Sequence, residues 1–217
     1  MTTTPRVVDH ELHAQIQYRL MEALEDRDGR LLEALRHNAG SESTLQDELT
    51  GLASRAQLDL RAVSAFARAG RYRWSTAVLV IDIDRFREIN EMFGHQGGDE
   101  VLVEVGRRLA TMFRGHDTVA RVGAIVSRFA GDEFVVVCED VTTADARSIA
   151  MRTIRAFDAP VRLAETDLPI AVTASVGVAL APSGAMAFDA CLLQAETAAR
   201  RAKASGGGRV NVFAGGA

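Results

Sequence analysis

Apolar residues follow a helical period at the start of the chain and shorter, strand-like runs after it. Leucine and isoleucine recur every four positions from Leu12 to Leu24, which predicts a helix over residues 8–38. Such a helix has one narrow apolar face and too little volume for a core of its own. We expect this face either to pack on its own domain or to pair with a second copy of the chain, and the pattern does not decide between the two.

A polar break at residues 38–43 separates this helix from a region in which helical and strand patterns alternate. Helices are predicted over residues 52–69, 86–93, 100–113, 143–157 and 187–204, and strands over residues 76–83, 119–129, 133–139, 168–180 and 209–213. The strands on either side of Ala130 and Gly131 are predicted to form a hairpin. The alternation predicts an α/β (α+β) domain over residues 46–217, with a mixed sheet flanked by helices, behind an N-terminal helical segment over residues 1–45.

Composition narrows the classes of function. The chain has 217 residues, 47% of them hydrophobic, and a formal net charge of −4, so it has no basic field to favour nucleic acid as its main ligand. Small phosphorylated ligands stay possible. No stretch reaches the roughly 18 apolar residues of a membrane span, and residues 1–10 lack the apolar core of a signal peptide, so we expect a cytoplasmic protein without a membrane partner. Cys138 and Cys191 are expected to be buried thiols.

Two acidic clusters stand at the ends of predicted strands. Asp82 and Asp84 end a strand that is otherwise apolar, and Asp132 and Glu133 occupy the predicted hairpin turn. Four carboxylates brought together repel one another unless they are protonated or bound to cations, and oxygen ligands suit Mg²⁺. Each cluster alone has an ordinary explanation, because aspartate commonly caps helices and Gly-Asp commonly makes turns. Their combination favours a metal site.

Four sequence segments occur in a fixed order along the domain. They are DELTGL at residues 47–52, DIDRFREIN at 82–90, FGHQGGD at 93–99 and AGDEF at 130–134. In content and order they resemble the GGDEF-domain diguanylate cyclases, and the similarity extends over residues 47–213. Four ordered motifs are specific, whereas a single Gly-Asp-Glu-Phe would not be. The resemblance implies a fold similar to the palm of nucleotide polymerases and class III nucleotide cyclases, with a central mixed, mostly antiparallel sheet and the signature hairpin at the active site.

The resemblance also implies an activity and a metal site. Enzymes of this family condense two GTP molecules into cyclic di-GMP and release two pyrophosphates, with the active site completed across a homodimer. The catalytic residues implied are Asp82, Asp132 and Glu133. Two Mg²⁺ or Mn²⁺ ions per active site would be bound by Asp82, Asp132, Glu133 and the carbonyl of Ile83, and Glu133 would be either a further ligand or the base for the attacking hydroxyl.

Five further residues match the family's substrate-binding positions. They are Asn90 and Asp99 for guanine, Arg87 and Lys203 for the triphosphate, and Phe86. Each also has a structural explanation: Asn90 as an amide on a helix surface, Asp99 as a helix cap, Arg87 and Lys203 as solvated charges, and Phe86 as a core residue.

Three departures from the family pattern bear on activity. Ala130 replaces the first glycine of the signature, which is tolerated when its φ is negative. The C-terminal motif is stretched, so that Gly207 stands where an arginine is expected, and the reach of Arg209 stays open. Arg114 and Asp117 match a product-inhibition pair, but twelve residues instead of five separate Asp117 from Ala130. We expect the seven extra residues to be absorbed as a bulge or a longer strand and to weaken inhibition by cyclic di-GMP.

Two other functions compete with this interpretation. A non-catalytic module of the same family would bind GTP or cyclic di-GMP and signal through the N-terminal helix, and the three departures favour it. An enzyme that cyclises a single nucleotide is disfavoured, because the guanine-binding positions and the signature turn match the family that uses two GTP molecules.

Overall fold

A mixed five-stranded sheet runs through the centre of the structure, a computed structural model that describes residues 45–114, 123–164, 169–182 and 185–214. The described residues form seven strands and four helices. The strands are β1 (Thr76–Ile83), β2 (Ala124–Ala130), β3 (Glu133–Glu139), β4 (Val161–Arg162), β5 (Pro169–Ile170), β6 (Ala174–Ala181) and β7 (Val210–Val212). The helices are α1 (Arg55–Tyr72), α2 (Phe86–Arg114), α3 (Thr143–Arg155) and α4 (Phe188–Ala204).

The central sheet has the strand order β2-β3-β1-β6-β7. β1 pairs antiparallel with β3 and with β6, β2 pairs antiparallel with β3, and β6 pairs parallel with β7. β4 and β5 form a separate two-stranded sheet. The predicted mixed, mostly antiparallel sheet flanked by helices is therefore confirmed.

Helices cover both faces of the sheet, which explains why β1 is apolar along nearly its whole length. Leu79 and Ile81 point into the core beneath α2 and α3, whereas Val78 and Val80 point into the core beneath α1 and α4. Helix α4 lies so close to β6 that a methyl group at Gly177 would collide with the backbone of α4. None of the helices in the described ranges is both long and apolar enough to cross a membrane.

Both cysteines lie in these cores. Cys138 and Cys191 are buried free thiols, and burial raises the pKa of each to about 12. A thiol that stays protonated in an apolar core is a poor nucleophile, so the predicted role as inert core residues is confirmed.

Several predicted boundaries differ from the structure. The predicted strand over residues 168–180 is interrupted after β5, and β4 was not predicted, because two-residue strands are too short to show an alternation. The predicted helices 86–93 and 100–113 lie within α2, which is kinked at Gly94 (φ 71°). Of the predicted strand 119–129 the structure describes residues 123–129, in which β2 begins at Ala124. β2 has a register irregularity between Arg128 and Ala130, at the end of the predicted insertion.

Three predictions concern residues outside the described part of the chain. They are the N-terminal helix over residues 8–38, the placement of Asp117, and that of the Arg114 side chain. The boundary proposed at residues 45 and 46 likewise stays a prediction.

Candidate active site

The predicted acidic residues meet at one end of the central sheet. Asp82 lies near the end of β1, directly opposite Glu133 at the start of β3. Directly opposed residues of antiparallel strands point to the same face, which here is the face covered by α4. Asp132 lies in the two-residue turn between β2 and β3, and its carbonyl accepts a hydrogen bond of 3.3 Å from the amide of Ile83. Ile83 is buried at the end of β1, and metal binding through its carbonyl stays a prediction.

The signature turn requires only one glycine. Gly131 has φ 52°, in the left-handed region that favours glycine. Among the described residues other than glycine, positive φ occurs only at Arg73, Arg85 and Asp140, so φ at Ala130 is negative. The condition under which alanine is tolerated at this position is met.

A salt bridge connects the turn to the DELTGL segment. Arg128 donates from Nε to the Gly131 carbonyl at 3.0 Å and from Nη1 to Asp47 Oδ2 at 3.2 Å. The Asp47 carboxylate also accepts hydrogen bonds from the amide and hydroxyl of Thr50. Burial raises the pKa of Asp47, but these hydrogen bonds and the Arg128 charge outweigh it and lower the pKa overall. Asp47 and Arg128 thus fix the hairpin turn, a role that the sequence analysis did not assign to them.

Lys203, near the end of α4, contacts the acidic cluster directly. Its Nζ lies 2.6 Å from Oδ1 of Asp82, and the Asp82 side chain is 17% exposed. Burial raises the pKa of Asp82, and the neighbouring carboxylates raise it further, although the hydrogen bond from Lys203 opposes both. Burial lowers the pKa of Lys203, but its bond to Asp82 more than offsets this, so the ammonium form is favoured. The structure therefore brings Lys203 to the acidic cluster, although its side chain is still 47% exposed, and its contact with the triphosphate stays a prediction.

Glu133 has more negatively than positively charged neighbours. Burial raises its pKa first, and the charges of Asp82, Asp132 and Glu196 raise it further, with only Lys203 acting in the other direction. Glu196, on α4, was missed by the sequence analysis. Its position seven residues before Lys203, two helical turns on the same face, is the signal that could have identified it.

The donor atoms of this cluster fit a divalent cation. They are oxygen atoms, which suit Mg²⁺ and Mn²⁺. The Lys203 ammonium already places one positive charge beside Asp82. In the described part of the chain no three His, Cys, Asp or Glu side chains converge as a finished coordination sphere.

A cleft of about 490 Å³ opens beside the signature turn. It is lined by Phe86, Arg87, Asn90, Glu91, His95 and Asp132. Arg87 is almost fully exposed and pairs with Glu91 through a 2.8 Å contact, so its guanidinium lies at the mouth of the cleft. Glu91 and His95 were not predicted, although they follow Arg87 at successive intervals of four residues along α2.

Asn90 is held in this cleft by the absence of a side chain at Gly98. A Cβ at Gly98 would collide with the Asn90 amide oxygen and would lie 3.3 Å from Phe86 Cζ. Asn90 is partly buried, and its role in binding guanine stays a prediction. Phe86 both lines the cleft and packs against the core, which combines the two roles considered for it. Asp99 is exposed and directly follows Gly98, which abuts Asn90, and its contact with guanine stays a prediction.

The missing C-terminal arginine has a steric explanation. Gly207 has φ 71°, and a Cβ there would lie 2.6 Å from Oδ2 of Asp84. No side chain fits at this position without displacing Asp84. Arg209 instead folds back, and its Nε donates to the Gly207 carbonyl at 3.0 Å.

The charge excess at Glu133 predicts an effect of pH on stability. Because the folded pKa lies above the ordinary value of 4.5, the folded state retains a proton that the unfolded state releases, and stability falls as pH rises through this interval. Glu133→Gln is therefore expected to raise the Tm of metal-free protein by a few degrees at pH 7 and to lose this advantage near pH 4.5. Calorimetry with a chelator at both pH values measures this, and a Tm lowered at pH 7 would contradict it.

The fold and the site together define a nucleotidyl cyclase domain with a palm-like architecture. The family profile described as "Diguanylate cyclase, GGDEF domain" matches residues 44–209. The chain belongs to this GGDEF diguanylate cyclase family, as its motifs predicted.

Known relatives agree with this assignment. Diguanylate cyclase TpbB of Pseudomonas aeruginosa (strain UCBPP-PA14) is 39% identical over 158 residues, which are 72% of this chain and 34% of TpbB. Response regulator PleD of Caulobacter vibrioides (strain NA1000 / CB15N) is 37% identical over 166 residues, 76% of this chain and 35% of PleD. The crystal structure of the TpbB GGDEF domain has a TM-score of 0.70 at 34% identity and covers 77% of this chain and 99% of that one. The chain spans about a third of the length of these two curated relatives.

Proposed function

We propose that this protein is a diguanylate cyclase that joins two GTP molecules into cyclic di-GMP and releases two pyrophosphates. The observation that carries the proposal is the contact between Lys203 and Asp82, which joins a cation to the carboxylates at the signature turn. Asp132 belongs both to this cluster and to the cleft that contains Asn90. One GTP molecule can therefore place its phosphates at the cluster and its base in the cleft.

Different residues bind the guanine base and the phosphates of GTP. Asn90 binds guanine in the cleft, and Lys203 and Arg87 contribute positive charge to the triphosphate. Two Mg²⁺ or Mn²⁺ ions per site would be held by Asp82, Asp132 and the Ile83 carbonyl, with Glu133 either as a further ligand or as the base, and when bound they supply neutralisation of phosphate charge and orientation for in-line attack.

Glu133 has the environment of a general base. In the reaction the 3′-oxygen of one GTP bonds to the α-phosphorus of the other, the bond to pyrophosphate breaks, and the hydroxyl proton needs an acceptor. A carboxylate whose pKa is raised by burial and like charges accepts a proton more readily than an ordinary one.

The reaction requires two domains that face each other, because each described site presents one cleft for one GTP. We propose a homodimer with two-fold symmetry, formed with the help of the N-terminal segment, residues 1–45, and acting in the cytoplasm, where GTP and Mg²⁺ are available. Cyclic di-GMP would then also bind Arg114 and Asp117 as a weak inhibitor, because the seven extra residues between Asp117 and Ala130 lengthen the connection to the signature turn.

Product analysis tests the proposed function. Purified protein incubated with GTP and Mg²⁺ or Mn²⁺ is expected to yield cyclic di-GMP and pyrophosphate in a 1:2 ratio, separated by chromatography, and ATP serves as the control nucleotide. A cyclic mononucleotide would identify an enzyme that cyclises one GTP. Binding of GTP without any product would identify a non-catalytic nucleotide-binding module, the alternative favoured by the missing arginine at Gly207.

A further inference from the structure

We propose that Asp84, the second aspartate of the DIDRF segment, is a positioning residue that holds the loop Gly206–Gly208 and thereby keeps Lys203 on Asp82. The inference rests on the proposed function only for its effect on catalysis. It assigns Asp84 a role other than metal binding, although the sequence placed it in the same acidic cluster as Asp82.

The Asp84 carboxylate is engaged by protein donors on both oxygens. Oδ1 accepts from Ser175 Oγ at 2.6 Å, and Oδ2 accepts from Thr173 Oγ1 at 2.7 Å and from the amide of Gly208 at 2.7 Å. Ser175 is fully buried, so its hydroxyl is committed to this contact. A carboxylate has about four acceptor positions, and three of those of Asp84 are already used. Little capacity is left for a metal ion.

The loop held by Asp84 is continuous with the last turn of α4. The Gly206 amide donates to the Lys203 carbonyl at 3.1 Å, and the Gly207 amide donates to the Ala202 carbonyl at 3.2 Å. A shift of the loop therefore pulls on the backbone of Lys203 itself. Asp84 also donates its own amide to the Thr173 carbonyl at 2.9 Å, which fixes the carboxylate relative to the sheet.

All three residues of this loop are glycine, and the contact with Asp84 explains one of them. Gly206, Gly207 and Gly208 have φ values of 108°, 71° and 58°, all in the region that disfavours side chains. Only at Gly207 does the space itself forbid a side chain, because an added Cβ would meet all three atoms of the Asp84 carboxylate at 2.6–2.8 Å. At Gly208 an added Cβ would lie 3.8 Å from Thr173, an ordinary contact.

This difference provides a matched pair of variants. Gly207→Ala and Gly208→Ala introduce comparable backbone strain, but only Gly207→Ala displaces Asp84. Both retain the Asp84 charge, so a changed acetylation rate cannot be attributed to the loss of a negative charge near Lys203. Thr173→Val adds a conservative change at an exposed position that removes one donor to Asp84 and leaves the loop sequence intact.

The first measurement is independent of catalysis. The rate at which Lys203 is acetylated by a small reagent, followed by mass spectrometry, reports how firmly its amine is held against Asp82. We expect the rate to rise several-fold in Gly207→Ala, to rise less in Thr173→Val, and to stay near the unmodified value in Gly208→Ala. Equal rates in all four proteins would overturn the proposal, whether or not the protein makes cyclic di-GMP.

The second measurement separates positioning from metal binding. In Asp84→Asn we expect kcat/KM for GTP to fall about 10-fold, mainly through a higher KM, with the Mg²⁺ concentration for half-maximal activity unchanged. A strongly increased Mg²⁺ requirement would identify Asp84 as a metal ligand instead and overturn the assignment. Absence of product from the unmodified protein would refute the proposed function and leave the acetylation result to decide this one.

Discussion

Replacing Asp82 by alanine is expected to lower the rate of cyclic di-GMP formation about 10³-fold or more at saturating GTP and Mg²⁺. Asp82 is the carboxylate that Lys203 contacts and that lies directly opposite Glu133. Without it the site loses a metal ligand and the anchor of its cation together. The charge on the triphosphate then lacks compensation in the transition state, which costs several kcal/mol.

Two comparisons make this prediction specific. Asp82→Asn keeps the shape of the side chain and a hydrogen-bond acceptor for Lys203, but it is a poor Mg²⁺ ligand, so we expect nearly the same loss of activity. Asp158→Ala removes an exposed carboxylate after α3 and is expected to leave the rate unchanged. All three variants are expected to unfold near the temperature of the unmodified protein, measured by circular dichroism. A rate within 10-fold of normal in Asp82→Ala would show that the metal is bound elsewhere.

The parts of the fold that the sequence predicted are those with strong local patterns. β1 and β3 were predicted with their observed bounds, because a strand buried on both faces is a continuous apolar run between polar ends. The same strands end in the acidic residues, so the location of the site followed from the strand pattern and the motif together. β4 and β5 have no such pattern, since they are two residues long and lie off the central sheet.

Contacts between distant segments could not be predicted from the pattern. Asp47 and Arg128 are 81 residues apart, and nothing in either segment indicates that they pair across the signature turn. The sequence placed Asp84 in the acidic cluster, but not its hydrogen bonds with Ser175 of β6 and with the amide of Gly208. Asp99 matched a guanine-binding position by sequence, and its side chain is exposed. Spacing along the chain identifies candidate residues, whereas the packing of other segments decides which way they face.

The position of Asn90 leads to a second large expected effect. Its amide lies in the cleft because Gly98, across the kink of α2, leaves room for it. An amide can both donate to and accept from the edge of guanine, and adenine presents the opposite pattern on that edge. A site built to pair with one base penalises the other through unpaired buried groups.

We therefore expect Asn90→Ala to lower kcat/KM for GTP by roughly 10- to 100-fold, the loss that corresponds to about 1–3 kcal/mol for an unpaired buried polar group, and to reduce the preference for GTP over ATP by a similar factor. Gly98→Ala should reproduce this effect with Asn90 still present, because the added methyl group displaces the amide. Met92→Ala, an exposed change on the same helix, is the control and should alter neither quantity. Asp99→Ala should have the smaller effect, since Asn90 lines the cleft and is partly buried whereas Asp99 is exposed. Titration of each variant with both nucleotides gives the comparison. Unchanged discrimination in Asn90→Ala together with lost discrimination in Asp99→Ala would place guanine recognition at Asp99 and require the nucleotide to bind outside this cleft.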